Sequence, residues 1–218
     1  NNTHGETSLI TTRQARRLRS THFSFSFVRN PFDRLVAAYN NKILEIDDVP
    51  QPMKRMGLRH NMPFPQFIET ICQCDPDELD NHIRPQADIL LTNGLLVPKF
   101  VGRMEHINTH WRRLRRRMKL EGLPTLGKLP RRNVRRKGRS DIADRFNTPA
   151  LIDTILERYA QDFVRFYSFY TVDQLLSGDE LEEHAPLQRG AARARARQAV
   201  ANRSEEHTSE LQSPMYLV

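Results

Sequence analysis

Residues 25–39 read FSFVRNPFDRLVAAY, and this stretch restricts the chain to few folds. Phe23, Phe25 and Phe27 alternate with Ser24 and Ser26 at period two, the pattern of a strand with one buried face. Asn30-Pro31 ends the strand and opens a helix, since Pro has no N–H to waste in a first helical turn and Asp33 follows in that turn. Leu35, Val36, Tyr39 and Ile43 then recur at helical spacing on one face. A buried strand, a tight turn and a helix in immediate succession form the unit from which α/β folds are assembled.

The rest of the chain extends that pattern. Residues 11–19 suit a short surface helix, and residues 64–72 a second helix with Pro65 near its start. Residues 45–65, rich in Pro, Met and charge, lack periodicity and read as a surface excursion. Residues 89–91 and 97–101 are short apolar runs suited to buried strands, and residues 107–119 form a very basic helix. Residues 122–140 read as a loop. Residues 149–169 bring Ile152, Ile155, Leu156, Tyr159, Phe163 and Phe166 to one face of an amphipathic helix. Alternating strands and helices predict an α/β fold with a mostly parallel sheet, in which the residue 23–28 strand is central and Arg29 faces a cleft shared with the residue 129–139 loop.

At 218 residues one domain is expected, spanning 1–176. An Ala/Arg-rich tail covers 177–202. Residues 203–214, RSEEHTSELQSP, read as the translation of a common sequencing-library adapter, so 203–218 is set aside as an artefact. That end carries one Arg and three Glu, so the remainder is more basic than the net +8 of the whole. No apolar run approaches the about 20 residues that a membrane helix needs. The basic charge suits a polyanionic partner: nucleic acid, an anionic polysaccharide or a phosphorylated cofactor. Cys72 and Cys74 form a lone CxC, too few for a zinc site or a disulfide framework.

A strand that ends in Val-Arg-Asn-Pro and feeds a helix places Arg29 where open α/β sheets bind anions, with free backbone N–H groups to receive a phosphate. Arg29 can fork onto two phosphate oxygens, and Arg34, a turn further on, adds a second charge. A plain reading, arginines that cap and solubilise a helix, fits the same residues.

The segment FVRNPFDRLVAAY resembles the 3′-phosphate-binding segment of sulfotransferases that use 3′-phosphoadenosine 5′-phosphosulfate (PAPS), and in particular of the carbohydrate sulfotransferases. Four further stretches resemble that family in the same order: LDNHIRPQ (79–86), KFVGRMEHI (99–107), LPRRN (129–133) and YAQDFVRFYSF (159–169). The resemblance implies a P-loop-like three-layer fold whose first strand and 5′-phosphosulfate loop lie before this sequence. The resemblance of Gly5-Glu6-Thr7-Ser8 to the end of such a loop reads as coincidence. It also implies PAPS as co-substrate without a metal, and a carbohydrate acceptor, which the basic charge would suit if it were an anionic glycan. Cofactor contacts are implied for Arg29, Asn30 and Arg34, with Ala37 where the family carries a serine. Arg136 and Lys137 are similar to an Arg-Lys-Gly element near the 3′-phosphate.

Sulfuryl transfer needs in-line geometry, neutralised oxygens and a base for the acceptor hydroxyl. His82, Glu105 and His4 are the candidate bases, and Arg84 a candidate substrate contact. Trp111 suits a core position or a sugar platform equally, and residues 112–119 suit a solvated helix face. Two rivals remain open: a basic nucleic-acid-binding module and a P-loop nucleotide kinase relative. The cysteine-poor sequence fits a bacterial cytoplasmic enzyme better than a Golgi-lumen one, the alternative being that an anchor precedes this sequence.

Overall fold

The computed structural model describes residues 11–129, 142–177, 181, 183–184 and 187–188. Helix α1, Thr12–Thr21, opens on a capping box: Thr11 Oγ1 accepts from Gln14 N–H, and the Gln14 side chain accepts from Thr11 N–H. Strand β1, Phe25–Val28, leads into α2, Pro31–Tyr39, capped by the Asn30 side chain, which accepts from Phe32 N–H. A π-helical turn, Asn40–Leu44, prolongs α2. Then follow α3 (Gln51–Arg55), α4 (Phe64–Gln73), α5 (Gln86–Leu90) and a two-stranded hairpin of β2 (Leu91–Thr92) and β3 (Leu95–Leu96). Strand β4, Phe100–Arg103, precedes the long α6, Ile107–Leu120. The described chain closes with α7 (Ile142–Arg145), α8 (Pro149–Arg158), α9 (Ala160–Phe166), α10 (Val172–Ser177) and β5 (Leu187–Gln188).

The sheet is small, in the order β1-β4-β5, with β1 parallel and β5 antiparallel to β4. Among the described residues β4 is therefore the central strand and β1 lies at the edge, against the expectation of a central β1. The α/β class with a parallel strand pair stands.

Alternation along β1 sends its side chains to two layers of helix. Val28 enters the main core with Phe32, Leu35, Val36 and Tyr39 of α2. The phenylalanines take the other face, where Phe25 and Phe27 meet Trp111 of α6 with ring centroids 6.4 and 6.1 Å apart. That aromatic face is only partly covered, and Phe25 remains exposed. Within β1 only Val28 is fully buried, while Ser26 and Phe27 are both half-buried, so the phenylalanines do not form the buried face that the pattern of large residues suggests. Trp111 is engaged in packing, and its Nε1–H donates to Gly127 O at 3.1 Å.

The core on the other side is an aromatic chain. Phe32 meets Phe163 and Phe146, Phe146 meets Phe64, and Phe64 meets Tyr39, all at centroid distances of 4.9–5.3 Å. The residue 45–65 excursion belongs to this core: Val49, Met53, Leu58 and Met62 are buried, and Tyr39 O–H donates to Met62 O. Its apolar residues anchor at irregular intervals, which no single period detects. Residues 89–90 complete α5 rather than a strand, because Pro85 and Asp88 start a helix there. The long amphipathic helix is interrupted at Tyr159, whose ring is buried and whose O–H donates to Ile83 O, so α9 leaves at a new angle.

His110, on α6, bolts β4 to the β5 side. Its Nδ1 accepts from Arg103 N–H at 2.8 Å, so the ring carries its proton on Nε2, which donates to His184 O at 2.9 Å. Burial, first of all, pushes its pKa down to about 4.

Two outcomes follow from these contacts. Gly102 lies opposite Phe27, and a Cβ there would meet the Phe27 ring at 2.3 Å. Gly102→Ala should cost about 1–3 kcal/mol in urea unfolding, and less in a Phe27→Ala background. Equal costs in both backgrounds would show that the ring is not the obstacle. The fold also holds His110 neutral, so its contribution to stability is complete above pH 6.5 and is lost as pH falls from there towards about 4. Burial raises the carboxyls of Glu105 and Asp162, which titrate with the opposite sense, so the comparison is with His110→Asn. The difference between the two melting-temperature profiles should shrink as pH falls through this window, and parallel profiles would exclude the assignment.

Candidate active site

The carboxyl end of β1 and the first turns of α2 open onto a cleft of about 830 Å³. One wall is the stripe Asp33, Arg34, Ala37, Ala38, Asn41, Lys42 and Glu45, which the helical repeat and the π turn bring to one side. Arg29 stands at the strand end, and Asn81, His82, Met104 and Glu105 complete the lining. The cleft therefore gathers Arg29, Arg34, Ala37, His82 and Glu105, which lie up to 76 positions apart in sequence. Asn30 is buried behind it. His4, Arg136 and Lys137 lie outside the described residues, as do the loop-like Gly5–Ser8 stretch, most of LPRRN and the 129–139 loop expected to share the cleft.

Each charged group has a distinct setting. Arg29 Nε pairs with Asp33, one turn on, and the Arg29 side chain is about one-third exposed (32%). Arg34 is committed to the backbone: Nη1 donates to Arg84 O at 2.6 Å and Nη2 to Asn81 O at 2.7 Å. It thus fastens the His82 loop to α2 and offers the cleft charge rather than a free fork. Burial lowers its pKa, an effect opposed by Tyr159, Asp162 and Asp80. Arg84 is not on the cleft. Its Nη2 donates to Asp77 O and Leu79 O at 2.8 and 3.0 Å, bracing its own loop, where a substrate contact was expected.

His82 is exposed, and Asp80 Oδ1 receives both its backbone N–H at 2.8 Å and its Nδ1 at 2.7 Å. A carboxylate can only accept, so Nδ1 carries the proton and Nε2 is the basic nitrogen. Glu105 is tied inward: its carboxylate accepts from Asn30 N–H and from Tyr167 O–H at 3.2 Å. Burial raises its pKa, opposed by the Asn30 N–H bond. Lys42 and Asn41 are wall residues that motif reading passed over; they lie in the π turn that prolongs α2.

The expected phosphate cradle of free backbone N–H groups is largely taken up by the fold. Arg29 N–H donates to Gln86 Oε1, Asn30 N–H to Glu105, and Phe32 N–H to the Asn30 cap, while Pro31 has none. Recognition of an anion falls to side chains. Gln86 and Asp162, which sequence reading quoted only as letters of longer motifs, hold this strand end from behind. Asp162 accepts from Gln86 N–H at 2.9 Å and Ala87 N–H at 2.6 Å, capping α5, and its pKa is raised by burial against those bonds.

Among the described residues no group of His, Cys, Asp and Glu could hold a metal ion, and no helix is long and apolar enough to cross a membrane. Cys72 and Cys74 are free thiols, and burial pushes Cys72 up to about 11.

Comparison with known proteins bears on the cleft directly. Mouse (Mus musculus) carbohydrate sulfotransferase 14 is 30% identical over 76 residues, which cover 29% of this chain and 20% of that protein. The chain thus aligns with about a fifth of the curated relative's length. No solved structure gives a significant match. The model of the sulfotransferase family matches residues 1–168, which include every cleft residue. With three quarters of its length under that model, the chain belongs to the sulfotransferase family.

Proposed function

We propose that this protein transfers a sulfuryl group from PAPS to a hydroxyl of a carbohydrate, using the cleft at the end of β1. The observation that carries the reading is the meeting of Arg29, Lys42 and Arg34 with His82 on one cleft, at the segment that resembles the 3′-phosphate site. The name of the mouse relative supports a carbohydrate acceptor.

PAPS supplies the activated sulfuryl group. In this reading Arg29 binds the 3′-phosphate through the guanidinium nitrogens that Asp33 leaves free, in the geometry that favours a forked contact. Lys42 adds a point charge, and Arg34 contributes its field while holding the loop. The acceptor oxygen attacks sulfur in line, the bond from sulfur to the bridging phosphate oxygen breaks, and the acceptor proton passes to His82 Nε2. Asp80 accepts from Nδ1 and so leaves Nε2 free to receive that proton. Glu105 clasps the strand end, and its bonds to Asn30 and Tyr167 make it less suited than His82 to take the proton. The reading needs no metal. An origin in the secretory pathway, the Golgi-lumen alternative, is preferred to a bacterial cytoplasmic one, because the matched relative is a mouse protein.

Arg29→Ala should abolish the preference for adenosine 3′,5′-bisphosphate over adenosine 5′-monophosphate, measured by titration. Transfer from labelled PAPS confined to phenols or tyrosine peptides, with none to glycans, would overturn the acceptor class. Ala37 lines the cleft on the same stripe, so Ala37→Ser returns a hydroxyl to the phosphate. Bisphosphate affinity should rise about tenfold, the lower end of a hydrogen bond to a charged group, with an unchanged melting temperature in the absence of ligand. Unaltered affinity would mean that another group makes this contact.

A further inference from the structure

We propose that Gln86 and Asp162 are positioning residues for the anion site, a buried relay that sets the direction in which Arg29 leaves β1. This rests on the reading of Arg29 as the 3′-phosphate ligand.

Arg29 stands one residue beyond β1, where the ladder to β4 has ended at the Val28–Arg103 pair. Among the described residues no neighbouring strand holds its peptide. The Gln86 side chain takes that place: its Oε1 accepts from Arg29 N–H, and its Nε2 donates to Arg29 O, both at 2.8 Å. One amide thus satisfies both main-chain groups of Arg29, as the peptide of an adjoining strand would. The amide itself cannot flip, because the second Nε2 hydrogen donates to Asp162 Oδ2 at 3.2 Å. Asp162 is in turn fixed by the two backbone N–H groups of Gln86 and Ala87.

Asp162 is fully buried and Gln86 nearly so, and neither lines the cleft. Their direct hydrogen bonds to a cleft residue are those of Gln86 to Arg29. A buried carboxylate is a costly way to cap α5, but Pro85 has no side chain that could do it, and this one carboxylate accepts both from the helix start and from the Gln86 amide. Since Arg29 Nε is held by Asp33, the remaining freedom of its guanidinium is the angle of the peptide that Gln86 grips.

The test is the ratio of affinities for adenosine 3′,5′-bisphosphate and adenosine 5′-monophosphate, which isolates the 3′-phosphate and which a merely structural role would not move. Gln86→Met keeps length and removes both bonds to Arg29; the ratio should fall about tenfold, with little change for the monophosphate. Gln86→Glu is the conservative rescue. A protonated Glu can accept from Arg29 N–H and donate to its carbonyl, whereas the ionised form has no donor. The single proton leaves no donor for Asp162 at either pH, so relative to wild type at the same pH its ratio should be closer to normal at pH 5 than at pH 8, where it is reduced. A folded Gln86→Met chain with an unchanged ratio overturns the relay. If that variant fails to fold, a wild-type ratio for Gln86→Glu at pH 8 does so instead. An unchanged ratio in Arg29→Ala removes the cofactor reading and the relay together, so the two failures are told apart.

Discussion

The site depends on the hydrogen bonding of the main-chain unit of one residue, the N–H and C=O of Arg29, beyond the last rung of the sheet. A strand end in solvent has no reason to hold a fixed direction, and its polar groups would ordinarily turn to water. Here Gln86 takes both groups of that unit, Glu105 takes the next N–H, and the Asn30 amide donates to Leu175 O at 2.6 Å. The strand terminus is thereby clamped by residues from α5, from the segment after β4 and from α10. Everything that lines the cleft from α2 inherits its placement from this clamp.

The clamp uses two carboxylates, Asp162 fully buried and Glu105 half-buried, and the physics of each is a balance. Taking Asp162 and Glu105 out of water favours their protonated forms, which is why burial heads the causes of both upward pKa shifts. Backbone N–H donors oppose that tendency by bonding to the charged form. Removing either carboxylate would strand those donors, at about 1–3 kcal/mol for each unsatisfied group. Polar groups are retained here because they are directional, which apolar packing is not.

The local pieces of this architecture could be read from the sequence because each depends on near neighbours. Asn30, Pro31 and Asp33 suffice to end a strand and start a helix, and the stripe of Leu35, Val36 and Tyr39 is buried as its spacing predicts. Reading failed where a distant partner decides. Phe25 and Phe27 look like the buried face of β1, yet the face packed into the core is the one with Val28, since α6 covers the phenylalanines only in part. Residues 45–65 have no period but enter the core through Val49, Met53, Leu58 and Met62. Tyr159 fits a continuous helix and instead breaks it, because its hydroxyl is drawn to Ile83 O.

The candidate site divides in the same way. By itself the sequence determined the strand-turn-helix unit, the position of Arg29 at its junction, the order of the elements shared with the sulfotransferase family and the shortlist that contained His82 and Glu105. Those are matters of residue type at short spacing. Only the tertiary structure decided that the N–H groups of Arg29, Asn30 and Phe32 are already taken, that Arg34 and Arg84 hold carbonyls, and that Asp80 orients His82. It also decided that Gln86 and Asp162, 76 positions apart, meet behind Arg29. A hydrogen bond is short and directional, so whether a polar side chain serves a ligand or the fold depends on which backbone group comes within about 3 Å of it, and that is set by the packing of distant elements.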